Sequence, residues 1–355
     1  MSFTALEPTD FVVSSDSITA PAWTTSVPTL SQFFTASVTA SSRLQPSAFY
    51  LNVYQSPTSS VGSAVQFSLA YGHAKGSGSI YYNQLVVGPS PTMTTYKQFK
   101  NLVYGPQLTG SAGFNFGEAN TNSNDVYVIN IERNCYKESL FPGTFNLTLS
   151  GSGGNIRLCD NSNDVTTETY LDCGRAYDIV SGSFGRATTT SNGSNRNGYT
   201  VSGSYGLFLP DIGCIILNPA ALSLSFVSGG LGLAPYTASN PTSNPALLYS
   251  SINNNNIYNA ISGGANFQLN SEETVSSNFV FVRVKNADYN YSTNPTFTSG
   301  SGDLVYSNLI NSPQVYATTV GLYNQNYELM AVAKMSKALL KDFTKEALIR
   351  VKLDW

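Results

Sequence analysis

Charge is what this sequence lacks most. Lys, Arg, Asp and Glu make up 11% of its 355 residues, less than half of the roughly 25% usual in soluble domains. The balance is −3, with neither a basic stripe nor an acidic block, so no electrostatic feature draws the chain to nucleic acid. Histidine is nearly missing as well. His73 is the one imidazole, and a histidine-based hydrolytic centre needs that base beside its nucleophile. Its surroundings, YGHAKGSG, match no nucleophile elbow, and they lack the ordered glycine-lysine spacing of a phosphate loop.

Cysteine is sparse and unpatterned. Cys135, Cys159, Cys173 and Cys214 form no CxxC pair, and the histidine lies far from them, which excludes an ordinary zinc site. The opening MSFTALEPTDF has neither a basic n-region nor an apolar h-region. Free, mostly buried thiols in a reducing cytoplasm are therefore expected in place of two disulfides. No apolar run nears the ~20 residues of a membrane helix. Carboxylate pairs such as Glu272-Glu273, or Asp160 with Asp164, have the residue types for glycoside hydrolysis. Adjacent acids on a loop are ordinarily just solvated. The run Asp160-Asn-Ser-Asn-Asp164 offers oxygen ligands to Ca²⁺ but lacks the glycine and distal glutamate of an EF-hand loop, so it reads as a polar turn. The sequence thus leads us to expect no catalytic, cofactor-binding or metal-ligating residue, and neither a membrane nor a nucleic-acid partner.

What is present is β-forming. With charge scarce, Ser, Thr, Asn and Gln supply the polar surface and favour strands and turns over helices. Tyr (22) and Phe (19) are abundant and suit pleated, half-buried surfaces. The expected class is mainly β: antiparallel sheets in sandwich-like domains, with long loops and few short helices. Asp125–Ile131 is a near-continuous apolar run of the kind buried on both faces. Phe145, Leu147 and Leu149 alternate with Thr144, Asn146 and Thr148. Thr95–Val103 is the best helix candidate in this half.

Three parts are expected. Residues 1–45, rich in Ser, Thr and Pro, read as an extended arm. Residues 46–150 together with 261–355 read as a β-rich assembly domain. Residues 151–260 read as an inserted, loop-bearing β region, with Asn192-Gly193 and Asn197-Gly198 as hairpin turns and Asn253–Asn256 as a turn-forming run. Its most core-like piece is Tyr205–Leu217.

The last forty residues differ from the rest. They are dense, apolar and cationic, holding Lys334, Lys337, Lys341, Lys345, Arg350 and Lys352, six of the 18 basic residues. Asn278–Val284 reads as a strand. Pro313–Tyr323 and Tyr327–Lys334 flank Asn324-Gln325-Asn326 as a hairpin, and Ser336–Phe343 reads as one or two helical turns. Ile349, Val351 and Leu353 then alternate with Arg350, Lys352 and Asp354, a terminal strand with a charged outer face. Tyr323, Phe343, Lys345, Arg350, Lys352 and Trp355 are the expected assembly contacts.

These motifs carry a resemblance. Thr319–Asn324, Glu328–Lys334 and Glu346–Asp354, within VYATTVGLYNQNYELMAVAK and KEALIRVKLD, are similar to carboxy-terminal segments of tail-associated virion proteins from tailed bacteriophages, including cyanophages. Gln66–Lys75, Tyr96–Tyr104 and Asp125–Leu149 look like the same group, while 151–260 resembles nothing recognisable. The resemblance implies a non-enzymatic structural component of the baseplate, tail or neck. Such a protein would be made in the bacterial cytoplasm, reside in the virion, and bind copies of itself and other virion proteins. The competing expectation is a carbohydrate- or receptor-binding adhesin that uses loops of 180–260 on a glycan. A third, a polysaccharide-degrading spike, rests on Glu272 or Glu273.

Overall fold

A computed structural model of the chain describes residues 3–35, 50–74, 92–105, 113–117, 122–236, 246–292 and 294–354. The chain is mainly β and antiparallel, as its composition implies. It divides into two compact units, Ile18–Glu273 and Met1–Ser17 with Thr274–Trp355.

The larger unit is built on one sheet of thirteen strands. Its path runs β2 (Thr29–Leu30), β15 (Phe267–Gln268), β8 (Asn146–Gly151), β9 (Gly154–Asp160), β11 (Gly174–Ser183), β13 (Gly206–Leu209), β14 (Cys214–Leu217), β6 (Asp125–Ile131), β5 (Val65–His73), β4 (Tyr50–Tyr54) and β3 (Phe34–Thr35). Two short strands, β10 (Thr169–Leu171) and β12 (Arg186–Ala187), add to β11. Laid flat, eleven strands would set the ends about 48 Å apart. Yet Leu30 and Phe34 are only four residues apart in sequence, a reach of about 14 Å. The sheet must curl.

An aromatic row fills the curl. Phe267 on β15 and Phe67 on β5, near opposite ends of the path, have ring centres 5.3 Å apart. Trp23 packs on both, at 4.9 Å and 6.2 Å, and its Nε1 donates to the carbonyls of Pro28 and Phe267. Phe33 extends the row from Phe67; Phe145 and Phe208 extend it from Phe267. Helix α3 (Ala246–Gly264) adds Ile257, Ala260 and Ile261 to the same core. A Cβ on Gly264 would overlap the Thr148 carbonyl, so glycine lets the helix end touch β8.

The middle strands are buried twice over. Tyr127, Ile129, Phe208, Ile215 and Leu217 enter the aromatic core. Val126, Val128, Leu207, Leu209, Cys214 and Ile216 join a second cluster on the opposite face. Helix α1 (Thr92–Tyr104) supplies Tyr96 and Val103 to that second cluster, which explains the unbroken apolar runs in these strands. Gly72 admits this helix: a Cβ there would lie 2.9 Å from the Tyr96 backbone nitrogen.

The smaller unit holds a three-strand path, β1 (Phe11–Pro21), β16 (Asn270–Val284) and β19 (Ala347–Asp354), and a separate two-stranded sheet, β17 (Val315–Tyr323) with β18 (Leu329–Lys341). The unit boundaries fall inside β1 and β16. A short strand, β7 (Ser139–Leu140), pairs with β16 at Ser271 and Glu272.

Several expectations change. Strands β9, β11, β13 and β14, all from 151–260, are hydrogen-bonded in series between β8 and β6. Pairing on both sides leaves no separable insert, and the compact units divide at 17/18 and 273/274. Residues 1–45 are no free arm over their described part. Strand β1 pairs with β16, Trp23 is core, and the Arg283 Nε donates to the buried Asp10 carboxylate at 2.8 Å; residues 36–45 lie outside the described residues. The Asn253–Asn256 run is helical, within α3, with Asn253 accepting from the Tyr236 amide at 2.8 Å. Tertiary packing overrides weak helix propensity there.

Removing one ring should undo the curl. Phe267→Ala is expected to destabilise the larger unit by about 3–5 kcal/mol, read as a lowered urea midpoint in Trp23 fluorescence, while an exposed control such as Val61→Ala leaves that midpoint in place.

Candidate functional site

The carboxy-terminal strands form the candidate site. Strands β17 and β18 pair from Val315↔Lys341 to Tyr323↔Leu329, leaving a five-residue connection, Asn324–Glu328, where the sequence suggested three. Asn324 organises it: its Oδ1 accepts from the amides of Asn326 (2.9 Å) and Glu328 (2.8 Å), and its Nδ2 donates to the Glu328 carboxylate. Tyr327 takes a φ of 63° to close the turn.

The expected helical turns at Ser336–Phe343 are not formed. Strand β18 continues through Lys341, and between Ala317↔Leu339 and Thr319↔Lys334 the residues Met335–Ala338 bulge out opposite Thr318 alone. Cross-strand pairing of Leu339 and Leu340 with Ala317 and Tyr316 wins over local helix preference.

A buried lysine ties this strand down. Lys341 is almost wholly enclosed, and its Nζ donates to the Asn286 carbonyl (2.8 Å), the Asn290 Oδ1 (2.7 Å) and the Asp342 carbonyl (3.0 Å). Three donors thus meet three acceptors. Beyond this cage, the buried apolar side chains of the unit among the described residues are Val280 and Val351, cross-strand partners on β16 and β19.

The six expected contact residues fall on separate elements. Tyr323 ends β17, exposed, its ring 5.0 Å from Phe3. Phe343 and Lys345 occupy the turn after β18, Phe343 exposed and Lys345 paired with Asp342 at 3.4 Å. Arg350 and Lys352 project from β19 around the Phe279 ring, 5.4 Å and 6.0 Å from its centre, and Lys352 also pairs with Asp354. Trp355 lies outside the described residues. Sequence reasoning passed over Tyr316, Leu329, Met330, Val332 and Leu348, all large and exposed. In GLY and LMAV both strand parities are apolar, the same pattern as in strands buried on both faces, so the sequence carried no signal of which face stays uncovered.

Elsewhere, the acids are engaged in structural bonds. Asp211 grips Arg175 through the guanidinium and the backbone amide, while the Glu272 carboxylate lies 3.5 Å from the same guanidinium and accepts from Ser139. Glu273 is exposed. In the Asp160–Asp164 turn, Asp160 accepts from the amides of Gly143 and Ser162, Asn161 from Asp178, and Asp164 from Ala187. Among the described residues no group of three or more His, Cys, Asp or Glu is placed to hold a metal ion, and no helix is long and apolar enough to cross a membrane. All four cysteines are free. Burial pushes the Cys135 thiol up to about 11 and Cys159 to about 12, far from the thiolate a nucleophile needs.

Comparison with protein families, curated proteins and solved structures finds nothing that matches this chain.

Acid should separate the two units. The Asp342 carboxyl is held below its ordinary range by the Thr344 hydroxyl, then by the Thr344 amide and Lys345; Asp354 is held down by Ser277 and Lys352. Their contribution is present above the unfolded value and is lost as pH falls through the depressed one. In the larger unit, burial raises Asp125, Asp160 and Asp178. Those groups take up protons first in the folded state, so their contribution grows as pH falls towards the unfolded value. Glu168, lowered by Tyr170 and Tyr177, opposes them from an exposed position. Calorimetry from neutrality to about pH 4 should show the larger unit's transition holding or rising while the smaller unit's stays in place, and the smaller unit's should move down only below about pH 4.

The cage gives a second test. Lys341→Met takes the donor from the Asn290 Oδ1, while the Asn286 carbonyl keeps the Asn290 Nδ2 and the Asp342 carbonyl keeps the Lys345 amide. The change should cost about 1–3 kcal/mol and raise amide exchange in β18 without altering exchange in β6.

Proposed function

We propose that this chain is a non-enzymatic structural component of a tailed-phage virion, in the baseplate, tail or neck. It joins copies and partner proteins through the unit made of its two chain ends. One observation carries the assembly part of this reading. Among the described residues the smaller unit holds about a third of the residues but 17 of the 29 large exposed apolar side chains. Isolated two-stranded sheets are marginal in water, and exposed apolar strands with open edges invite pairing with another chain. Among the described residues β17 and β18 pair only with each other. The phage assignment rests on the resemblance of Thr319–Asn324, Glu328–Lys334 and Glu346–Asp354 to tail-associated proteins. In this reading the protein folds in the bacterial cytoplasm and ends in the particle.

Mass spectrometry of purified virions from a phage encoding the chain tests it. The chain should be present at a fixed copy number and removed with the tail fraction; its absence from intact infectious particles overturns the reading. Deleting 345–355 is a poor alternative, because it strips β19 from its eight-residue pairing with β16.

A second reading, a glycan-binding adhesin, is favoured by Phe184. The β11–β12 turn pairs Ser183 with Arg186 and puts Phe184 and Gly185 at φ of 53° and 73°. Such a turn prefers Asn-Gly, and a bulky side chain there costs about 1–2 kcal/mol. The strained ring is exposed, with the Arg157 guanidinium 5.9 Å from its centre. Phe184→Asn should raise stability by about 1 kcal/mol. If the adhesin reading holds, that variant also loses glycan-array binding seen with the native chain; no binding by the native chain ends it.

A further inference from the structure

The assembly reading leaves the partner at the β17–β18 hairpin unspecified, and the hairpin's own surface narrows it. Register places Thr319 with Lys334, Gly321 with Val332 and Tyr323 with Leu329 on one face. The alternation of exposure changes phase at the bulge after Ala317, which returns Tyr316 to that face. Gly321 keeps the face flat: a Cβ there would sit 2.9 Å from the Tyr323 ring and 3.3 Å from a Leu329 methyl. Both side chains therefore lie down across the strand.

On and beside this face Tyr316, Tyr323, Tyr327, Leu329, Met330 and Val332 are between 41% and 69% exposed. At roughly 200 Å² for each full side chain they present about 700 Å². That exceeds the roughly 300–600 Å² patch of an ordinary monomer and approaches the ~800 Å² that each partner gives a standard interface.

Charge selects the occupant. Glu328 sits at the tip of the hairpin and Lys334 six residues along β18, about 20 Å away. Lys334 makes no ion pair among the described residues. A twofold axis near Ala331 would bring each Glu328 opposite the other copy's Lys334, with the Tyr and Leu side chains between them. The face is complementary to itself, the condition for an isologous pair. We propose that a second copy of this chain docks face to face on the outer side of the β17–β18 hairpin, the two hairpins antiparallel about that axis. The proposal rests on the assembly reading and names its partner.

Sedimentation of the purified full chain at micromolar concentration should show dimers. Val332→Glu and Tyr316→Glu change exposed positions. Each should keep the native circular dichroism yet weaken self-association at least tenfold. Lys334→Glu alone should also weaken it, and the double variant Lys334→Glu, Glu328→Lys should restore it. A monomeric native chain, or a double variant no better than the single one, overturns the homotypic joint. A native monomer that still enters virions sinks this proposal and spares the assembly reading. A dimer that is absent from virions does the reverse.

Discussion

The packing of Trp23 between Phe67 and Phe267 is the contact on which the larger unit depends. Those rings come from strands near opposite ends of the sheet path. Their burial is what makes the curled state lower in free energy than an open one. The indole's two hydrogen bonds, to the carbonyls of Pro28 and Phe267, also satisfy backbone groups at the place where the chain turns between β1 and β2. With the curl set, α3 has an apolar floor to lie on, and the middle strands can be covered from both sides. One aromatic row thus organises sheet, helix and second cluster.

The smaller unit is built on a different balance. It buries a Val280–Val351 pair and encloses the Lys341 ammonium among three oxygens. The buried Asp10 carboxylate adds an ionic tie to β16 through Arg283. Directional polar contacts of this kind fix geometry but bury little apolar area, and apolar burial is the dominant favourable term in folding. A unit so constructed gains most from a partner that covers its exposed tyrosines, leucines and valines. The scarcity of charge over the whole chain fits the same economy, since a low-charge surface suits contact with protein more than isolation in water.

Much of the fold was legible in order of residues. Asp125–Ile131, Phe145–Leu149, Asn278–Val284 and Ile349–Leu353 all read as β from alternation or from unbroken apolar runs, and Thr95–Val103 read as helix; each overlaps the corresponding element, while Tyr205–Leu217, read as core-like, holds β13 and β14 with a 3-10 turn between them. The errors share a cause. The Asn253–Asn256 run reads as turn, yet it is helical because Ile257, Ala260 and Ile261 reach a core supplied by strands far away in sequence. Ser336–Phe343 reads as helix because nothing local reveals that Tyr316 and Ala317 will pair with it. At the candidate site, the basic residues of β19 stood out by charge, whereas Tyr316, Leu329 and Val332 drew no notice, because an apolar residue in a strand is presumed to be covered.

By itself, the sequence determined the class of structure and the placing of most strands, since period-two patterning and turn chemistry act over a few residues and need no distant partner. It also fixed which chemical groups are scarce. Tertiary structure alone decided that residues 151–260 belong in the middle of one sheet, that Trp23 closes a curl, and which face of the last hairpin stays bare. Each of these depends on pairing between segments tens to hundreds of residues apart. Strand order and the covering of a face are properties of that pairing, and local pattern carries no record of it.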